Sequence, residues 1–416
     1  MALKLRNQWL SLSGVVALKF RTSGSERAGI IKVEGLDLMK EPIAVDFYAR
    51  QQVREDDKVL LHHLVSNIYL NTANAFIGIN ASGKTTLLRV TNLVLDMLNN
   101  RPLNHAIGKE VLANSPTVTV TSYVFIEPNV LFKLETTITT TIQPNGGLYC
   151  SIADEVLWKK TLPQNTPIVK KALFEFSDRQ IYIRRSESGD FLSDDVSIMI
   201  AVNKQYDSTV LVASLEPITD FNTLAVSDVD VPSELLHFLD ATIERFYIEL
   251  RDGKPVSHLK FYGRNELILA DTFELRTYLS SGTIKGINVF LWAIAVLRHG
   301  GYLLLDEIEN HFNTEIVASL IRFFLDARLN KNGGVLIFTT HYPELLDEFD
   351  RNDCINITRN TEGISVQNLT DILKRNDLKK SDAYMSDYLG GTAPLYDSYI
   401  ALKRYIAKAI EGGGAE

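Results

Sequence analysis

The run Gly78-Ile79-Asn80-Ala81-Ser82-Gly83-Lys84-Thr85 constrains this chain more than any other feature. It is a complete G-x-x-x-x-G-K-[ST], in which glycines let the backbone turn until successive N–H groups point at phosphate oxygens. Lys84 brings a cation to the β- and γ-phosphates of a nucleotide, and the Thr85 hydroxyl is a Mg²⁺ ligand. Ala75-Phe76-Ile77 before the loop predicts a buried strand. Leu87, Leu88, Val90, Val94 and Leu95 behind it recur at helical spacing and predict a helix through Thr86 to Leu98. Gly78, Asn80, Ala81, Ser82, Gly83, Lys84, Thr85 and Thr86 are therefore expected to hold the phosphates of ATP, helped by the positive end of that helix.

A phosphate loop alone does not choose among nucleotide-using classes; the second half of the chain does. Gly301-Tyr302-Leu303-Leu304-Leu305 is apolar throughout, as a strand covered on both faces must be, and it ends in Asp306-Glu307. Carboxylates at that end lie where open α/β sheets bind ligands. Asp306 is expected to hold Mg²⁺ and Glu307 to polarise water as a general base. About thirty-five residues on, Gly334 to Thr340 predicts a neighbouring strand ending at His341, whose imidazole would stand near the γ-phosphate. Upstream, Leu279-Ser280-Ser281-Gly282-Thr283 opens an apolar helix predicted over Ile284 to Leu297. Such a start is ordinarily a simple N-cap, but small residues at a helix N-terminus also make an anion site. The chain's own loop already serves its nucleotide, so a second copy of the chain is the simplest source of a phosphate for Ser280, Ser281 and Gly282.

The remaining sequence sets the frame. Short alternating runs such as Ile30-Ile31-Lys32-Val33 predict strands before the loop, after a polar loop at Thr22 to Arg27; a helix is predicted around Asp57 to Leu70. Thr117 to Lys160 is rich in Val, Thr, Ile and Tyr and turns at Asn145-Gly146-Gly147, an antiparallel meander. Helices at Val196 to Asn203 and Pro232 to Tyr247, with a hairpin at Asp252-Gly253, mark an inserted lobe. A helix at Thr314 to Leu329 then restores strand–helix–strand alternation and a parallel sheet. The expected class is an α/β P-loop fold with a mixed sheet, a β meander and a partly helical insertion. Its expected units are a first core part over 1–165, the lobe over 166–278, a second core part over 279–368 and a tail over 369–416. That tail ends in a helix over Ala393 to Ile410 and the triplet Gly412 to Gly414, and it offers a partner or assembly surface. The net charge of −8 gives no global basic field for nucleic acid. Cys150 and Cys354 lie in no C-x-x-C pair and near no His at metal spacing, so neither a zinc site nor a disulfide framework is expected. Residues 1–14 lack the apolar core of a signal peptide, and Ile287 to Leu297 is too short to span a bilayer; the expectation is a cytoplasmic chain without a membrane segment.

Four motifs thus stand in the order of the ABC ATPase superfamily: P-loop, signature, Walker B and switch histidine. Leu279 to Thr283 resembles its LSGGQ signature, departing at Ser281 and Thr283 toward the branch of RecF, SMC-like repair and OLD-type ATPases. Asp306-Glu307-Ile308-Glu309-Asn310-His311-Phe312-Asn313 and Thr339-Thr340-His341-Tyr342-Pro343-Glu344-Leu345-Leu346 are similar to the DE-x-E and TTH-x-P-x-LL stretches of that branch. Roughly 190 residues without heptads separate P-loop from signature, against the long coiled coils of SMC proteins. About 75 residues follow His341, too few for the TOPRIM nuclease of OLD proteins. The chain resembles the stand-alone ATPase subunits of bacterial anti-phage systems of the Septu and PARIS type. The resemblance implies a homodimer or higher homo-oligomer with shared ATP sites, Mg²⁺ as cofactor, catalysis by Glu307, His341 and Lys84, and a nuclease or toxin effector as partner. The alternative is a DNA-repair or recombination ATPase of RecF/SMC-like type that binds DNA directly, for which Lys374, Arg375, Lys379 and Lys380 are the candidate contacts; DNA or RNA is a further partner to be tested.

Overall fold

The computed structural model describes residues 11–12, 15–16, 26–126, 128–187, 192–219, 222–226, 228–375, 378–390 and 396–412. A six-stranded sheet carries the site. Its strands run, in spatial order, Val212–Ser214, Gly301–Leu305, Gly334–Thr340, Ala73–Ile77, Ile355–Asn360 and Ile364–Asn368. The first five are parallel and the last is antiparallel to its neighbour. The acidic and histidine strands are adjacent, with Leu305 opposite Phe338, as their motifs require.

Why the strands Gly301–Leu305, Gly334–Thr340 and Ala73–Ile77 are mostly apolar follows from what covers them. Phe76, Leu304 and Ile337 face a core shared with the P-loop helix Lys84–Leu98 and the antiparallel sheet. Ala75, Leu303, Leu305, Leu336 and Phe338 face a second core, under the helices Ser281–His299 and Thr314–Leu325. With both faces covered, no position is left for the polar alternation of a half-solvated strand.

The meander forms as expected: Thr117–Ile126, Val130–Ile142 and Leu148–Thr161 pair in succession, turning through Gln143 to Gly147 with Gly146 at φ 81. Glu26–Glu34 and Ile43–Asp46 extend this sheet on one side and Ile181–Arg184 on the other. Residues expected as an inserted lobe are spread over three sheets. Ile181–Arg184 edges the antiparallel sheet, Val212–Ser214 edges the parallel one, and Val229–Asp230, Ile243–Arg251, Lys254–Phe261 and Leu267–Leu269 make a four-stranded sheet of their own. The Asp252-Gly253 hairpin is present, both residues left-handed.

Several elements differ from the sequence expectation. Asp57 to Leu70 is not a helix but a 3-10 turn followed by the hairpin Leu61–Val65 and Ile68–Asn71. Helical spacing there is outweighed by tertiary pairing, since Asn71 and Ala49 exchange backbone bonds with Phe47 and Tyr69, and Ser66 takes the turn at φ 52. The helix at Pro232 stops at Leu239, because the Asp240 carboxylate captures Thr242 N–H and hydroxyl and turns the chain into a strand. The helix from Thr314 stops at Leu325, where Asp326 binds Arg328 N–H in the same way. The Val196 helix starts later, at Met199, and Glu26 and Arg27 belong to a buried strand rather than a polar loop. Of the C-terminal helix, Tyr396–Gly412 is described; residues 393–395, Gly413 and Gly414 fall outside the described residues.

Candidate functional site

The phosphate loop leaves the central strand at Ile77 and enters the helix at Lys84. Gly83, its N-cap, sits at φ 97, and a Cβ there would stand 2.5 Å from the Ile364 side chain. A Cβ on Gly78 would fall 2.3 Å from both Ser82 Oγ and Thr358 Oγ1, so each motif glycine answers to a close approach. Ala81 is also left-handed, at φ 60, which turns consecutive amides toward one hollow. No side chain caps the helix, leaving its first N–H groups directed at that hollow. Two residues absent from the motif brace the loop: Asn360 donates to Ala81 O at 3.0 Å, and Ser82 and Thr358 share a 2.6 Å hydroxyl bond.

Lys84 donates to Gly78 O at 3.0 Å and Ile79 O at 3.1 Å, and its Nζ lies 3.3 Å from His341 Nδ1. Burial pushes its ammonium below the usual lysine range, against the opposing fields of Asp306, Glu307 and Glu309. Thr85 Oγ1 donates to Asp306 at 2.9 and 3.2 Å, placing two hard oxygen ligands side by side, a donor set that suits Mg²⁺. Thr339, fully buried, rivets the two motif strands: it donates to Asp306 Oδ1 at 2.5 Å and accepts Glu307 N–H at 2.7 Å. Glu307 itself sits at φ 45, a strained position for a non-glycine residue. Its carboxylate is 3.7 Å from His341 Nε2.

A cleft of about 510 Å³ opens beside these groups. Asn80 to Thr86, Glu307 and His341 line it, joined by Leu38, Asn360 and Ile364 from the strand connections above. Ser280, Ser281 and Gly282 do not line it. They start their own helix, where Ser280 caps Thr283 N–H at 3.0 Å, Asn222 donates to Ser281 Oγ at 3.1 Å, and a Cβ on Gly282 would stand 2.6 Å from His311 O. The chain therefore brings P-loop, acidic pair and histidine together and holds the signature segment apart from them.

Sequence reasoning missed Asn360, Leu38 and Ile364, which line the cleft, and Thr358, which braces its loop; none carries a motif. Thr339 stood in the TTH stretch, where its position before the histidine was the available signal. The cations Lys374, Arg375, Lys379 and Lys380 all have local interactions. Lys374 donates to Thr370 O, Lys379 pairs with Asp382, and Lys380 is buried. Among the described residues no helix is long and apolar enough to cross a membrane.

Fold and loop define an α/β P-loop NTPase. Residues 73–347 match a family model described as "AAA domain, putative AbiEii toxin, Type IV TA system", and the chain belongs to that AAA-domain family. A comparison with curated proteins finds no match. Among solved structures the chain is similar to an SMC head, from the crystal structure of that head bound to the C-winged helix domain of ScpA. The identity is 14%, over 84% of this chain and 99% of the other, with a TM-score of 0.38.

Proposed function

We propose that this chain binds Mg²⁺·ATP and hydrolyses it between two copies of itself, using the closed dimer to control a partner effector. The observation that carries the reading is the division of the site. The cleft gathers Lys84, Thr85, Glu307 and His341, with Asp306 bound to Thr85 behind it, while Ser280–Gly282 lie outside it. A nucleotide held by the first set leaves its γ-phosphate to be met by the helix start of a second copy.

In this reading the loop amides and Lys84 bind the phosphates, Lys84 exchanging the carbonyls of Gly78 and Ile79 for phosphate oxygens. Thr85 and Asp306 would hold the Mg²⁺, which would supply positive charge against that of the phosphates. Glu307 takes a proton from the attacking water, and His341 donates to the γ-phosphate oxygens. Ser280, Ser281 and Gly282 of the second copy close the site, so nucleotide state becomes subunit geometry. Leu38 and Ile364 give the cleft an apolar wall suited to the base.

The family description names a putative toxin and a Type IV TA system, and a link of that kind supports a regulatory ATPase that works with an effector; the effector in this reading is a nuclease or toxin, and the setting is phage defence in a bacterial cytoplasm. Two experiments test the two levels. Phosphate release is expected from wild type and not from Glu307→Gln. Lys84→Ala and Ser281→Arg are each expected to be inactive alone and to recover turnover when mixed, since one site of the mixed dimer is intact. Failure of the mixture to recover removes the shared site. For the effector, capture on Glu307→Gln with ATP is expected to retain a second protein; recovery of the chain alone counts against it.

A further inference from the structure

The acidic loop contains a third carboxylate that the hydrolysis scheme does not use. Glu309 lies two residues beyond the general base and is only 7% exposed. Its Oε1 accepts the backbone N–H of His341 at 2.6 Å, while its Oε2 has no hydrogen-bond partner. The neighbouring bonds show why that amide needs an acceptor. Glu307 N–H and Ile308 N–H are both satisfied by Thr339, which extends the strand pairing past Leu305. The histidine strand ends at Thr340, so the amide of residue 341 emerges beyond the last ladder bond. The acidic loop, folded back by Asn310 N–H to Glu307 O, brings the Glu309 carboxylate to it.

We propose that Glu309 is a positioning residue: it fixes the main chain of His341 so that the imidazole pivots from one point between Lys84, Glu307 and the γ-phosphate. This rests on the hydrolytic reading above. The geometry favours positioning over support of the fold. The bond is short, made to a charged acceptor and placed at the Cα from which the imidazole swings. Lys84, at 3.3 Å from the imidazole, and Glu307, at 3.7 Å, touch the same ring. A drift of that Cα by an ångström would therefore change both distances by a large fraction of their length.

The test compares Glu309→Ala with Glu309→Gln, which keeps an acceptor oxygen at the same reach and removes the charge. With wild type as reference, Glu309→Ala is expected to lower kcat about tenfold or more and to leave KM for ATP within about twofold, because loop amides, Lys84 and Thr85 still bind the nucleotide. Glu309→Gln is expected to recover most of the loss. Hydrogen exchange at the His341 amide, followed without nucleotide, is expected to accelerate at least tenfold in Glu309→Ala and to stay near wild type in Glu309→Gln. Unchanged kcat in Glu309→Ala overturns the proposal, as does a Gln variant as impaired as the Ala one. If wild-type protein binds ATP without cleaving it, the hydrolytic reading fails by itself. The exchange measurement then still decides Glu309: unaltered His341 protection in Glu309→Ala refutes it.

Discussion

Thr339→Val removes one hydroxyl and almost no volume, and the consequences follow from two bonds. The Thr339 hydroxyl donates to the Asp306 carboxylate at 2.5 Å and accepts Glu307 N–H at 2.7 Å, with the side chain fully buried. A hydrogen bond to a charged group is worth about 1.5–3 kcal/mol and one to a neutral amide about 1 kcal/mol, while the added buried methyl returns about 0.8 kcal/mol. The net expectation is a loss of about 2–3 kcal/mol in urea unfolding without nucleotide. Asp306 keeps Thr85 as a donor, so the fold survives. Catalysis is expected to suffer more than stability. The freed Glu307 amide lets the strained residue at φ 45 relax, and an ångström of misplacement at a general base costs about 100-fold in turnover. The assay pair is urea titration and phosphate release on the same preparation. A variant with stability within about 0.5 kcal/mol of wild type would show that the hydroxyl does not connect the two strands. A destabilised variant with full turnover would show that Glu307 is held by something else.

Other expectations concern separate parts of the molecule. Lys84→Ala is expected to weaken ATP binding about 10- to 100-fold in calorimetry, the loss of one charge-assisted contact, and unchanged affinity would remove Lys84 from the site. Gly83→Ala places a Cβ 2.5 Å from Ile364 at φ 97 and is expected to abolish binding while far-UV circular dichroism stays unchanged. Tyr302→Phe leaves the buried Ala28 N–H without the phenol oxygen that accepts it at 2.7 Å and is expected to cost about 1–3 kcal/mol in urea. Burial also pushes the Tyr302 phenol up to about 12 from its ordinary 10.0. The folded state then holds this proton where the unfolded state releases it, so stability is complete below pH 10.0 and falls as pH rises toward about 12. The same titration on Tyr302→Phe is expected to show a smaller fall.

Much of the site was readable in the chain because its chemistry is local. Eight consecutive residues make the phosphate loop, and the strand that ends in Asp306-Glu307 announces itself by being apolar at every position, which only a strand covered on both faces tolerates. The order of Lys84, Gly282, Glu307 and His341 along the sequence likewise fixed the class of fold. The sequence was a poorer guide where spacing was ambiguous. Leu61, Leu64 and Ile68 recur at helical intervals, yet they form a hairpin whose Asn71 N–H and Tyr69 carbonyl pair with Phe47 and Ala49, partners that no local pattern reports.

Tertiary structure alone decided which side chains share a cleft. Asn360 and Thr358 meet the phosphate loop across about 280 positions of chain because the parallel strand beside Ala73–Ile77 carries them there, and Ile364 arrives on the antiparallel strand next to that one. Glu309 reaches His341 for the same reason: the two motif strands are neighbours, and a carboxylate on one end can satisfy an amide on the other. Residue identity sets what a group can do, and a short motif preserves it. Which partner it does it with depends on strand order, a property of the whole sheet rather than of any segment within it.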